Sequence, residues 1–285
     1  MTQPTIYQVS DWNGTSGQRW VDHQTRLDAM LALFGEAAIT AAAPRRDEAI
    51  LDIGCGAGTT TRALADHVGP QGRVLGLDIS QPLIERARSL TADQPAIAFE
   101  LSDAARAELP SQGFDLLFSR FGVMFFDNPA ATFAHLRLAL KAGGRLAFVC
   151  WRGAAENDWV RLPMGAIKGL VPAAPPPDPE APGPFSFGAA DRITRILAAA
   201  GFANIACAAL DHAIPFGKGA SREEALDDAV RMAFEVGPLS RALAEQPPEI
   251  QEQAAAAVRK ACATRPGDTA IMFEGAAWVV TARNP

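Results

Sequence analysis

Apolar residues along the chain follow two alternating patterns, one with the period of strands and one with the period of helices. Short apolar runs predict five strands, at residues 50–53, 73–77, 97–101, 114–119 and 145–151. Stretches of helical period predict helices at residues 58–68, 81–92 and 129–141, the last of them ended by Gly143. This alternation predicts a parallel sheet with helices on both faces.

The segments on either side of this region have patterns of their own. Residues 17–43 predict an amphipathic helix, with Trp20 on its apolar side and Asp28 among its surface residues. Residues 172–184 hold seven prolines and therefore predict a loop. The rest of the chain predicts a helix at 190–200, a sixth strand at 202–214, helical residues at 221–263 and a last strand at 276–282.

The first predicted strand runs directly into Gly54, Gly56 and Gly58, and a helix begins at Thr59. Because glycine has no Cβ and tolerates positive φ, a ligand can approach this backbone closely. The free N–H groups at the helix start point towards such a ligand. The next strand ends at Asp78, twenty residues past Gly58, where a carboxylate can hold the two hydroxyls of a ribose. The pattern predicts a cofactor that contains a nucleoside.

The spacing of the glycines narrows the choice of cofactor. The nicotinamide fingerprint has a glycine at the position that Thr59 occupies here. A Walker loop is excluded, because no Lys-Ser or Lys-Thr follows the glycines. From the residues alone, a nicotinamide-binding domain remains the alternative.

An acid followed by three alternating glycines, as in residues 52–58, resembles the first motif of the class I S-adenosylmethionine-dependent methyltransferases. The resemblance covers roughly residues 45–151 and is closest to small-molecule enzymes of the ubiquinone/menaquinone-biosynthesis type. It implies S-adenosylmethionine as the cofactor and a set of residues that bind it. These residues are Trp20, Asp52, Gly54, Cys55, Gly56, Gly58, Thr59, Asp78, Ile79, Asp103, Ala104, Ser119 and Arg120.

The resemblance also assigns roles within this set. Asp78 would bind the ribose, Ile79 and the Asp103-Ala104 pair would contact the adenine, and the segment from Ser119 and Arg120 onwards would line the methionine arm. It implies an α/β, Rossmann-like, doubly wound sheet of seven strands, mostly parallel with an antiparallel last strand, plus an N-terminal helical lid and insertions.

The chain divides accordingly into four parts. These are an N-terminal helical lid segment (residues 1–48), a cofactor-binding core (49–151), a Pro-rich insertion or cap (152–187) and a C-terminal part of the core (188–285) with a helical insertion at about 217–270.

Composition limits the partners and the compartment. A formal net charge of −6 argues against nucleic acid, which requires clustered Lys and Arg. The four cysteines lie far apart, with neither zinc-site nor disulfide spacing, which is typical of a reducing cytoplasm. No signal-peptide pattern and no apolar stretch long enough to span a bilayer is present, so we expect a cytoplasmic location and no membrane partner. The sequence has no cluster of metal ligands, so we also expect no metal.

The activity that the resemblance implies is methyl transfer to a small molecule by direct in-line displacement, on an O, N, C or S atom. Aromatic residues near the expected site predict an acceptor with an aromatic or apolar body. These are Trp12, Trp20, Phe121, Phe125, Phe126 and Trp151. No catalytic base is assigned, and a homodimer is compatible with the sequence. A nicotinamide-dependent oxidoreductase and a cofactor-binding protein without catalysis remain as alternatives.

Overall fold

The computed structural model of the chain describes residues 9–172 and 178–285. Residues 1–8 and 173–177, which belong to the predicted lid segment and Pro-rich loop, lie outside the described residues. The helices are α1 (Val9–Trp12), α2 (Thr15–Asp22), α3 (Gln24–Ala42), α4 (Thr59–Val68), α5 (Gln81–Leu90), α6 (Pro129–Ala139), α7 (Asp158–Ala166), α8 (Ala190–Ala199), α9 (Arg222–Glu235), α10 (Pro238–Leu243) and α11 (Pro248–Cys262). Two short 3₁₀ turns occur at Val123–Phe125 and Ala154–Glu156.

Seven strands form one sheet. They are β1 (Ala49–Ile53), β2 (Arg73–Asp78), β3 (Ile97–Leu101), β4 (Phe114–Arg120), β5 (Leu140–Trp151), β6 (Ala203–Lys218) and β7 (Ala270–Arg283). Their order is β3-β2-β1-β4-β5-β7-β6, and β7 runs antiparallel to β5 while the first five strands are parallel. The predicted fold class is therefore confirmed.

The sheet register brings the ends of three strands to one edge. Every residue of β1 is buried, as expected for a central parallel strand that is covered on both faces. Asp52 pairs with Gly76 of β2 on one side and with Phe118 of β4 on the other. The carboxyl ends of β1, β2 and β4 therefore lie side by side, which is where ligands bind in open α/β sheets.

Several predicted elements have other bounds in the structure. The single helix predicted over residues 17–43 is interrupted at His23, which ends α2 and precedes α3 with a ψ of 11°. No Gly or Pro marks this break, so the sequence pattern did not reveal it. Strand β6 extends to Lys218, beyond its predicted end at residue 214. Strand β7 begins at Ala270, before its predicted start at residue 276.

Helix α6 was predicted over residues 129–141 with Gly143 as its terminator, but it ends at Ala139, and Gly143 lies in β5. The reason is a contact that is distant in sequence, because the side-chain amide of Asn284 donates to the carbonyls of Leu140 and Lys141 (2.9 and 3.0 Å). These carbonyls are therefore satisfied in the extended conformation that begins β5.

The chain separates into two compact units. The first comprises the described residues of Met1–Trp151, Pro179–Leu210 and Ala277–Pro285, and the second comprises those of Arg152–Asp178 and Asp211–Ala276. The predicted domain boundaries stay predictions. Among the described residues, none of the helices is long and apolar enough to cross a membrane.

Within the second unit, Asn157 joins α7 to β7. Its side chain is fully buried, its amide oxygen accepts from the Ala276 N–H (3.0 Å), and its amide nitrogen donates to the Ala276 carbonyl (3.1 Å). It also accepts from the indole N–H of Trp159 (3.3 Å). The Asn157 amide thus makes the two hydrogen bonds to the Ala276 backbone that a residue of a neighbouring strand would otherwise make.

We expect Asn157→Ala to lower the free energy of unfolding by about 1–3 kcal/mol, because it leaves buried backbone groups of Ala276 with fewer partners. Urea unfolding followed by circular dichroism measures the change. Gln253→Ala on the exposed face of α11 is the control, and a loss no larger than that of this control would contradict the expectation.

Candidate functional site

The loop between β1 and α4 has a backbone that only glycines adopt readily. Gly54, Gly56 and Gly58 have φ values of 65°, 55° and 81°. A Cβ on Gly54 would lie 2.7 Å from the Cα of Gly122, and one on Gly58 would lie 2.7 Å from the ring of Phe99. A Cβ on Gly56 would meet nothing within 4 Å. Gly54 and Gly58 are therefore fixed by packing, whereas Gly56 faces open space.

The carboxylate of Asp78 holds this loop from the end of β2. One oxygen accepts from the Gly56 N–H (2.8 Å) and the other from the Ser80 N–H (2.9 Å). Burial raises the pKa of Asp78, and these backbone hydrogen bonds oppose that effect. Because each carboxylate oxygen has a further lone pair, Asp78 can accept additional hydrogen bonds from a ligand.

A second carboxylate lies beneath the loop. Asp52 is fully buried, and the hydroxyls of Thr60 and Thr61 both donate to its Oδ2 atom at 2.7 Å. Its Oδ1 atom is buried and has no hydrogen-bond partner among the described residues. Burial raises the pKa of Asp52 from its usual 3.8 to about 6, against the two hydroxyls and the charge of Arg120, which lower it. The α4 threonines thus hold Asp52 in place and leave one oxygen unsatisfied.

A third acidic residue at the site, Asp28 on α3, was not predicted. The helical pattern predicted Asp28 as a surface residue, and this prediction is wrong, because the Asp28 side chain is only 22 % exposed. One oxygen accepts from Arg120 (2.8 Å), and the other accepts from the hydroxyl of Thr59 (2.7 Å) and the amide of Gln24 (3.3 Å). Asp28 therefore connects α3 to the start of α4 and to the end of β4.

A cavity in the first unit opens between α3 and the glycine loop. Its polar side is formed by Gln24, Asp28, Arg120 and the backbone of residues 54–57. Its apolar side is formed by Trp20, Leu27, Leu31, Leu83 and Phe121. The structure thus brings the predicted residues Trp20, Gly54, Cys55, Gly56 and Arg120 together around one space.

Other predicted residues lie at the ends of β2, β3 and β4. Asp103 accepts from the Ala105 N–H (2.9 Å) beside buried Ala104, and the carbonyl of Ile79 accepts from the side chain of Asn13 (2.9 Å). The hydroxyl of Ser119 donates to the Ile53 carbonyl (2.7 Å) and accepts from the Gly122 N–H (3.1 Å). Ser119 is fully buried, so its observed contacts join β1 to β4.

Aromatic rings surround this edge of the first unit in two groups. Phe121 stacks on Trp151 with ring centroids 4.2 Å apart, and Phe34 meets both rings edge-on. Phe121 has a φ of 64°, which is uncommon for a residue with a side chain and is concentrated at functional sites. The second group consists of Trp12 between Trp20 (6.0 Å) and Phe125 (5.4 Å).

In the described part of the chain, neither Cys55 nor a group of metal ligands adds a candidate for catalysis. Burial raises the pKa of the Cys55 thiol well above its usual value, so a reactive thiolate is disfavoured there. Across residues 9–172 and 178–285, no three His, Cys, Asp or Glu side chains are grouped so that they could hold a metal ion.

Comparison with known proteins supplies the family. The family described as "Methyltransferase domain" matches residues 50–144. Aklanonic acid methyltransferase DauC from a Streptomyces species is 34 % identical over 117 residues, which cover 40 % of this chain and 53 % of that protein. Nocamycin O-methyltransferase from Saccharothrix syringae is 31 % identical over 176 residues, which cover 57 % of this chain and 61 % of that protein.

The chain thus spans about half the length of the curated relatives that it matches. Among solved structures, the YcgJ protein from Bacillus subtilis superposes with a TM-score of 0.58 at 18 % identity, covering 90 % of this chain and 97 % of that one. At this identity the likeness concerns the fold alone. Residues 50–144 therefore form a methyltransferase domain of the class I S-adenosylmethionine-dependent family, as the sequence predicted, and S-adenosylmethionine is its methyl donor.

Proposed function

We propose that this protein transfers a methyl group from S-adenosylmethionine to a small-molecule acceptor with an aromatic or apolar body. The observation that carries the proposal is the glycine loop, which is clamped by Asp78 and opens at Gly56 onto the cavity of the first unit. The family match of residues 50–144 supports the donor. The names of two relatives, aklanonic acid methyltransferase DauC and nocamycin O-methyltransferase, support a small acceptor.

The residues at the loop fit an adenosine-containing sulfonium cofactor. Gly56 has no side chain where open space begins, and Asp78 has lone pairs to accept from ribose hydroxyls. Ile79, Asp103 and Ala104 would border the adenine. The methionine arm would be bordered by loop residues 54–59 and Trp20, with Asp52 beneath the loop, and by the segment around Ser119 and Arg120.

When bound, S-adenosylmethionine supplies a methyl group on a positively charged sulfur, and the acceptor attacks that methyl in line. The protein's own part is to position the acceptor and to exclude water, and ordering two reactants can contribute ~7–11 kcal/mol of barrier reduction. The rings of Trp20 and Phe121 give the cavity apolar walls, and an aromatic face near a cation stabilises it by ~0.5–2 kcal/mol. The accepting atom can be O, N, C or S.

An assay with labelled donor tests the transfer. The protein is incubated with S-adenosylmethionine that carries a tritiated methyl group, together with a small-molecule extract, and the extract is then separated by chromatography. We expect label in a discrete small-molecule fraction that depends on the protein. If S-adenosylhomocysteine binds but no fraction acquires label from any extract, the non-catalytic alternative is correct. If neither occurs, the proposed function is wrong.

The segments outside the methyltransferase domain also have proposed roles. We infer that residues 1–48 act as a lid, that residues 152–187 act as a cap, and that the helices between residues 217 and 270 form an insertion in the C-terminal part of the core. A cytoplasmic protein, as a monomer or a homodimer, agrees with the separated cysteines and the charge balance. Sedimentation equilibrium decides the oligomeric state.

A further inference from the structure

Two opposite charges lie side by side in the cavity wall. The Asp28 carboxylate accepts from the Arg120 guanidinium at 2.8 Å, and both side chains line the cavity beside the glycine loop. Arg120 is 12 % exposed, and in the described part of the chain Asp28 is the acceptor found for its guanidinium. Its remaining N–H groups are therefore available to a ligand in the cavity.

Asp28 is held in position before any ligand binds. Thr59 and Gln24 donate to the oxygen that does not face Arg120, and Gln24 is itself fixed by the Arg86 side chain (2.9 Å). A carboxylate accepts about four hydrogen bonds, so these three leave capacity for another donor. Asp28 and Arg120 thus form a preorganised pair, which lowers the cost of ordering the site during binding.

The pair has the charge pattern that an amino acid requires. The amino-acid end of S-adenosylmethionine carries an ammonium and a carboxylate on one carbon, and a guanidinium and a carboxylate bind such groups through charge-assisted hydrogen bonds. Resting on the proposed function, we propose that Asp28 binds the ammonium and Arg120 binds the carboxylate of this end of the cofactor. Each charge of the amino-acid end is then paired with an opposite charge of the protein.

This assignment gives α3 a direct role in cofactor recognition. The glycine loop and Asp78 belong to β1, β2 and their connections, and they would read the adenosine part. Asp28 lies on α3, ahead of the whole matched domain at residues 50–144. Under this proposal the amino-acid end of the cofactor contacts α3 directly, through Asp28.

Two ligands that differ in this end test the proposal. S-adenosylhomocysteine contains the amino-acid end, whereas 5′-methylthioadenosine has the adenosine and the thioether without it. Isothermal titration measures both affinities for the wild type, Asp28→Asn and Arg120→Gln. Glu36→Gln removes the same charge as Asp28→Asn from an exposed position of the same helix and serves as the control.

We expect Asp28→Asn and Arg120→Gln to weaken S-adenosylhomocysteine binding about tenfold or more, which is about 1.4 kcal/mol or more. Methylthioadenosine affinity should stay within about twofold of wild type, which also shows that the variants fold, and Glu36→Gln should change neither affinity. In hydrogen exchange, S-adenosylhomocysteine should protect the α3 amides of the wild type more than methylthioadenosine does.

Equal losses for both ligands would mean that the pair is structural and would overturn the proposal, as would unchanged affinity for S-adenosylhomocysteine. If the wild type binds methylthioadenosine and S-adenosylhomocysteine equally well, the amino-acid end is not recognised and the proposal also fails. Binding of neither compound by the wild type would overturn the proposed function itself.

Discussion

Asp78→Ala is expected to weaken the binding of S-adenosylhomocysteine by ~1–3 kcal/mol, because the ribose hydroxyls lose charge-assisted hydrogen bonds. This corresponds to a roughly 5- to 150-fold higher Kd in isothermal titration. The same substitution removes the acceptors for the N–H groups of Gly56 and Ser80, so the glycine loop also loses its clamp. Both effects act in the same direction on cofactor affinity.

A ligand without one ribose hydroxyl separates these two effects. If Asp78 contacts the ribose, the substitution costs less affinity for the 2′-deoxy or 3′-deoxy form of S-adenosylhomocysteine than for the parent compound, since one partner is already missing. Asp93→Ala, in an exposed turn of the same unit, serves as the control. Wild-type affinity for the parent compound in folded Asp78→Ala would refute the role of Asp78.

Asp52→Asn is expected to change the pH dependence of stability. The pKa of Asp52 is about 6 in the folded protein and 3.8 ordinarily, so between these values the folded state retains a proton that the unfolded chain has released. The free energy of unfolding therefore falls as pH rises through this window, and the loss approaches its full size of about 3 kcal/mol roughly one pH unit above the folded pKa. The loss arises because folding then places an ionised carboxylate in a fully buried position.

Asparagine does not titrate, so the variant lacks this loss. The difference in free energy of unfolding between Asp52→Asn and wild type should grow by about 2 kcal/mol between pH 4 and pH 7, in favour of the variant. Urea unfolding at several pH values measures this difference, and Asp93→Asn controls for the removal of an exposed carboxylate. A difference that does not change with pH would show that the pKa of Asp52 is not raised.

The stability cost of Asp52 also bears on function. Asp52 is a buried carboxylate with one unsatisfied oxygen, and its ionisation lowers the stability of the fold. Such costs are typical of functional positions, where activity conflicts with stability. We therefore expect Asp52→Asn to bind S-adenosylhomocysteine more weakly than the wild type.

The sequence predicted the central sheet and the glycine loop because both depend on local signals. Continuous apolar runs identify buried parallel strands, and glycines at alternate positions identify backbone with positive φ. The carboxylate of Asp78 was found because the end of its strand and its distance from the loop are visible in the chain. These features require no knowledge of contacts that are distant in sequence.

The features that the sequence pattern does not reveal depend on contacts between residues that are far apart in the sequence. Asp28 acquires its role from Thr59 and Arg120, which are 31 and 92 positions away. In the sequence it is one more charged residue of an amphipathic helix, and its burial follows only from the packing of α3 on the site. The break at His23 and the early end of α6 likewise lack a local signal. The end of α6 depends on Asn284, which donates to the carbonyls of Leu140 and Lys141 from the far end of the chain.

The central claim is that the loop at residues 54–58 binds S-adenosylmethionine and not a dinucleotide. Isothermal titration of the wild type with S-adenosylhomocysteine and with NAD tests it most directly. We expect saturable one-to-one binding of S-adenosylhomocysteine, weakened by Asp78→Ala, and no detectable heat from NAD. Binding of NAD at this loop, with no binding of S-adenosylhomocysteine, would contradict the account.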